Sequence, residues 1–159
     1  MAEINLHASC VLLAQAGPRL GAPSDTGVLL LGESGSGKSD LALRLIAMGA
    51  LLVADDRTLL WVEDGVLLGR APPSLHGLIE VRGLGIVPLP TASRAPIRLA
   101  AILGHEAARL PEPERWPLPL GLEGASAPPV LRLNAFSVSA PARIVLAAAQ
   151  LGQIPGMGN

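Results

Sequence analysis

The sequence predicts an α/β fold with a mixed sheet and few helices, and three local patterns predict it. A short aliphatic run at residues 28–31 leads into a glycine-rich loop and then a helical pattern. A second aliphatic run at 51–54 ends in two aspartates, and two further apolar runs flank Asp64-Gly65. Apolar runs this short, with no polar alternation, are characteristic of strands covered on both faces. With 159 residues and a formal net charge of -1, the expectation is one domain over 1–159 with one core.

Composition narrows the possibilities. Half the residues are hydrophobic, yet the only aromatic side chains are Phe136, Trp61 and Trp116, so Leu, Ile, Val and Ala must build the core. The near-neutral charge leaves no basic stripe of the kind that neutralises nucleic-acid phosphates. The opening Met-Ala-Glu-Ile-Asn lacks a basic region followed by an apolar segment, and no apolar run is long enough to span a bilayer. The expectation is a cytoplasmic chain with neither nucleic acid nor membrane as partner. A lone cysteine, Cys10, can form neither an internal disulfide nor a cysteine-based metal site, and a buried structural role is expected for it. Of the 12 basic residues all but one are arginine; the single lysine is Lys38, inside the glycine loop. An exception of that kind suggests a position needing a compact ammonium on a flexible stem.

Taken in order, residues 5–14 read as a strand and 15–26 as an exposed loop rich in Gly, Pro and Ser. The run 28–31 is a buried strand. A helix is expected over 39–48, with Leu41, Ala42, Leu45 and Ile46 on one face and Gly49 as its stop. The run 51–54 is the next buried strand. Runs 58–63 and 66–70 should pair as a hairpin across Asp64-Gly65, a dipeptide suited to a tight turn. Residues 74–89 are rich in glycine and charge between short apolar runs, and 97–103 read as a strand. Prolines at 111, 113, 117, 119, 128 and 129 make 109–129 irregular. Ser139 can cap a last helix over 140–151, closed by Gly152 and Pro155.

Chemistry begins at Gly32-Glu33-Ser34-Gly35-Ser36-Gly37-Lys38-Ser39, which fits G-x-x-x-x-G-K-[ST] throughout. Glycines let successive backbone N–H groups face phosphate oxygens, and the following helix adds its positive dipole end. Lys38 would reach the terminal phosphates of a nucleoside triphosphate, and the Ser39 hydroxyl would bind Mg²⁺. Asp55 and Asp56 follow the next strand, where one carboxylate can organise the metal while the other accepts a proton from an attacking hydroxyl. Glu80 and Arg82 stand two residues apart and would share a face if extended, either holding metal and phosphate together or forming an exposed ion pair.

These residues resemble the catalytic domain of the HPr kinase/phosphorylase family, bacterial regulators of the sugar phosphotransferase system. The resemblance rests on Asn5-Leu6-His7-Ala8, on the loop with Asp40 after it, on Val53-Ala54-Asp55-Asp56, and above all on Ile79-Glu80-Val81-Arg82-Gly83-Leu84-Gly85-Ile86. It implies a fold related to phosphoenolpyruvate carboxykinase, ATP and Mg²⁺ as cofactors, and transfer of phosphate to a serine of the carrier protein HPr. It further implies Asp56 as proton acceptor, Ser39 and Glu80 as metal ligands, active positions at His7 and Lys38, and a catalytic arginine at Arg109. A homo-oligomer, a hexamer, is also implied. Family members often carry a domain before the catalytic one, whereas this chain begins almost at His7. The family's loop for the reverse, dephosphorylating reaction is represented only by Pro129-Val130-Leu131-Arg132-Leu133-Asn134, so the expectation is the forward reaction. Two other readings remain open on the residues alone: a small-molecule kinase using the same loop, and a nucleotide sensor without catalysis.

Overall fold

The computed structural model describes residues 2–151. In chain order these form β1 (Glu3–Leu6), β2 (Ala8–Leu12), β3 (Gly27–Leu31), α1 (Lys38–Ala47), β4 (Leu51–Ala54), β5 (Thr58–Glu63), β6 (Val66–Arg70), β7 (Leu78–Val81), β8 (Gly85–Pro88), β9 (Ala95–Leu103), β10 (Val130–Leu133) and α2 (Ala140–Ala149). The main sheet runs β1-β5-β6-β9-β3-β2-β4, with β10 also against β9. Pairs β3/β9 and β10/β9 are parallel and the other pairs antiparallel, so the sheet is mixed, as expected.

The order of the central strands positions the site. β2 lies between β3 and β4 and is antiparallel to both, with Ala8 opposite Leu31 and Cys10 opposite Ala54. The start of β2 is therefore at the same edge as the ends of β3 and β4. Side chains in these strands alternate between two cores. Val28 and Leu30 join Leu41, Leu45, Ile144 and Val145 under the helices, while Leu29 joins Cys10, Val53, Leu60, Trp116 and Leu122 on the opposite face. Coverage on both faces explains why these strands read as unbroken apolar runs.

The expected strand over 5–14 is instead two, broken at His7. β1 pairs with β5, then the chain leaves that partner and β2 pairs with β3 and β4. Apolar pattern alone cannot register a change of partner, and the Thr58 hydroxyl spans the switch by donating to the Ala8 carbonyl at 2.8 Å. The segment 15–26 contains two short 3₁₀ turns and is not wholly exposed, since Ala16 and Ala22 enter the helix-side core. The hairpin at Asp64-Gly65 forms as expected, with φ of 51° and 78° at the two turn residues.

Residues 74–89 contain a second hairpin, β7/β8, which stands apart as its own two-stranded sheet. Ile79 anchors it in the core beside Leu41 and Leu45. β9 begins two residues earlier than expected. The segment 109–129 is irregular apart from a bridge between Arg115 and Pro129, but 130–133 is a parallel strand rather than a loop. α2 ends at Ala149, short of the expected 151, and Ser139 sits at its N-cap without a side-chain capping bond. Gly152 and Pro155 lie outside the described residues. Cys10 is fully buried as expected, and burial pushes its thiol up to about 12. Among the described residues no helix is long and apolar enough to cross a membrane.

Candidate functional site

The glycine loop joins β3 to α1 at the sheet edge where β4 also ends. Gly37, at φ 95°, is the N-cap residue of α1, and Leu41 N–H donates to its carbonyl at 2.9 Å. A Cβ on Gly37 would come 2.9 Å from the Ala135 Cβ, so only glycine lets this turn approach the segment after β10. Lys38 begins the helix and folds its side chain back. It is only 7% exposed, and its Nζ donates to the carbonyls of Gly32 at 2.8 Å and Glu33 at 3.0 Å. A buried ammonium whose partners are neutral carbonyls favours an anion nearby. The Ser36 hydroxyl, also buried in the loop, has no hydrogen-bond partner among the described residues.

The carboxylates meet the loop through short hydrogen bonds. Ser39 Oγ donates to Asp55 Oδ1 at 2.7 Å, and Ser9 Oγ donates to the same oxygen at 2.9 Å. The Ser9 oxygen in turn accepts the Asp56 backbone N–H at 3.1 Å. Asp56 takes a left-handed φ of 65°, a conformation that aspartate tolerates better than most residues. Its Oδ1 lies 2.7 Å from His7 Nε2, and the Asp56 side chain is 63% exposed. One carboxylate is thus tied to the loop serine, while the other is presented to solvent beside an imidazole.

Ser9 carried no motif signal, because one hydroxyl in an apolar strand reads as an ordinary strand residue. A polar side chain with 0% exposure in a central strand would have drawn attention, but burial is not visible in the sequence. A second unforeseen contact is Arg44, one turn along α1 from Asp40. Its guanidinium pairs with Asp40 at 3.0 Å and donates to the carbonyls of Ala135 and Ser137, fastening the post-β10 turn to the helix that carries the loop.

Not every expected residue joins this cluster. Glu80 is exposed on β7, and the structure gives it no hydrogen bond to Ser39 or Asp55. Among the described residues no group of three His, Cys, Asp or Glu side chains is placed to hold a metal ion. Arg82 does not share an extended face with Glu80: β7 stops at Val81 and Arg82 enters the hairpin turn, so neither the shared face nor the ion pair forms. Arg109 is exposed in the irregular segment after β9, and the side-chain partner of Asp56 is His7 rather than Arg109. Ser39 and Asp55 supply hydroxyl and carboxylate oxygens, a donor set suited to a hard divalent cation.

Loop, helix start and strand-end acids together define an α/β protein whose glycine loop and carboxylates share one rim. Residues 23–92 match the family model of the HPr Serine kinase C-terminal domain. The HPr kinase/phosphorylase of Clostridium beijerinckii is 50% identical over 68 residues, covering 43% of this chain and 22% of that protein. That of Aromatoleum aromaticum is 43% identical over 115 residues, covering 67% of this chain and 36% of the relative. The solved structure of the Hpr(Ser) kinase/phosphatase from Coxiella burnetii superposes with a TM-score of 0.68 at 25% identity, covering 91% of this chain and 93% of the other. The chain is accordingly similar to HPr kinase/phosphorylase over part of its length and shares the mixed α/β fold of the solved kinase/phosphatase structure. The matched stretch covers well under two thirds of those two curated relatives. His7 and Arg109 both fall outside the family-model match.

Proposed function

We propose that this chain is an ATP-dependent protein serine kinase whose acceptor is an HPr-type carrier of a bacterial phosphotransferase system. The observation that carries the reading is the convergence of two acid contacts on the loop's rim: Ser39 on Asp55 at 2.7 Å, and His7 on Asp56 at 2.7 Å. The names of the relatives supply the acceptor. A single catalytic domain, a homo-oligomeric (hexameric) assembly and a cytoplasmic setting belong to the same reading.

Loop residues 32–39 would cradle the phosphates with backbone N–H groups, and Lys38 would turn from the Gly32 and Glu33 carbonyls to the β- and γ-phosphates. Ser39 and Asp55, with Glu80 from the hairpin, would hold magnesium, which when bound supplies positive charge against the phosphate oxygens. Asp56 accepts the proton of the acceptor serine as the serine oxygen attacks the γ-phosphorus and the bond to ADP breaks. His7 orients the Asp56 carboxylate. Ser9 fixes the separation of roles by binding the Asp55 side chain and the Asp56 backbone at once. Arg82 and Arg109 would supply charge to the transferring group from the hairpin and the post-β9 segment.

The test is incubation of the purified chain with ATP, Mg²⁺ and an HPr-type carrier, followed by mass measurement of the carrier. A carrier heavier by one phosphate on serine is expected. An unmodified carrier alongside a phosphorylated metabolite would move the assignment to a small-molecule kinase.

A further inference from the structure

Phe136 is the feature beside the loop that phosphate chemistry leaves unused. It is the only phenylalanine of a chain with two tryptophans and no tyrosine, and it is 63% exposed. Its ring edge lies against the loop, since a Cβ on Gly37 would come 3.2 Å from both Cε1 and Cζ. The turn that presents it is fixed from several sides. Phe136 N–H donates to Asn134 Oδ1 at 2.9 Å, and Ser137 N–H to the Asn134 carbonyl at 3.1 Å. Arg44 holds the carbonyls of Ala135 and Ser137 on either side of it. Beyond these, Ser137 Oγ donates to Glu106 at 2.7 Å, and Glu106 is paired with Arg143 of α2 at 2.9 Å.

We propose that Phe136 is the platform on which the flat heterocycle of a nucleotide stacks while its phosphates occupy the loop, a subsite resting on the loop reading given above. Phosphates in the loop fix one end of the ligand, and the other end must lie within a short reach of the α1 N-terminus. The exposed aromatic face within that neighbourhood is already immobilised, so little conformational entropy is lost when a base settles on it. Every base has a π face, and stacking on an aromatic side chain discriminates weakly among them. The site therefore accepts adenine and guanine nucleotides with similar affinity.

Calorimetry on the full chain with Mg·ATP, Mg·GTP and Mg·tripolyphosphate tests this. Phe136→Ala should weaken ATP and GTP by about tenfold, the order that base stacking contributes, and leave tripolyphosphate unchanged; Phe136→Trp should restore nucleotide affinity. Equal loss of all three ligands would make the ring a support for the loop and overturn the proposal. So would undiminished nucleotide binding combined with a raised KM for a carrier protein, which would assign the ring to the acceptor. Failure of the unaltered chain to bind any of the three overturns the loop reading as well, whereas tripolyphosphate binding with no preference for nucleotides overturns the stacking subsite alone.

Discussion

The loop rim and the β7/β8 hairpin carry the two most informative strings of the sequence, and they are built on opposite plans. At the rim, His7, Ser9, Lys38, Ser39, Asp55 and Asp56 are locked by hydrogen bonds of 2.7 to 3.1 Å that join the start of β2, the turns after β3 and β4 and the start of α1. In the hairpin, Ile79 is the anchor, while Leu84 and Ile86 are 75% and 69% exposed and Glu80 and Arg82 face solvent. One region is organised before anything binds. The other leaves most of its side chains exposed among the described residues. A specific sequence string can thus lie in a region locked by internal geometry or in one left open to solvent.

The largest effect that would break this comparison is at the exposed acid. Asp56→Asn should lower phosphate transfer by about 10²- to 10⁴-fold with ATP affinity nearly intact, as loss of a general base does; a radiolabelled-phosphate assay reads it, and undiminished transfer would refute the assignment. Lys38→Ala should cost about 10²- to 10³-fold in kcat through lost charge at the phosphates. On the hairpin side, Ile79→Ala should destabilise the fold by about 2–5 kcal/mol in urea unfolding. By contrast, Arg82→Ala should leave the unfolding midpoint in place while weakening transfer to the carrier. A shifted midpoint for Arg82→Ala would erase the contrast between the two regions.

A smaller change sharpens the rim itself. Ser9→Ala should raise the magnesium concentration needed for half-maximal activity by about tenfold, the scale of a lost hydrogen bond to a charged group, with Ser9→Thr restoring it in part. The smallest effect concerns the turn under Phe136. The Arg143 hydrogen bond, helped by that of Ser137, holds Glu106 down at about 2 against an ordinary 4.5. A depressed carboxylate stabilises the fold above its ordinary value and loses that contribution as pH falls toward 2. Thermal unfolding of the unaltered chain should therefore lose more than that of Glu106→Gln between pH 5 and roughly pH 2.

Local elements were legible because their causes are local. α1, β3, β4 and the Asp64-Gly65 hairpin follow from apolar runs, turn residues and the glycine loop, and the site acids follow from their place after β4. What the sequence hid depends on partners distant along the chain. The break at His7 arises from exchanging β5 for β3 and β4, and β10 is a strand because β9 offers it an edge. Ser9 matters because β2 starts where two other strands end. Arg44 gave no sign of its reach to Ala135 and Ser137, residues 91 and 93 positions away. Arg82 was misplaced for the opposite reason: extended spacing was assumed across residues where the chain turns.

Cys10 sits next to Ser9 in the strand between β3 and β4, wholly enclosed and with its thiol held protonated. An alkylating dye can reach that sulfur only after the strand has separated from its neighbours. The chain thus carries its own clock for breathing of the strands beneath the glycine loop, and the rate at which a ligand slows the dye would report how firmly the bound molecule clasps them shut.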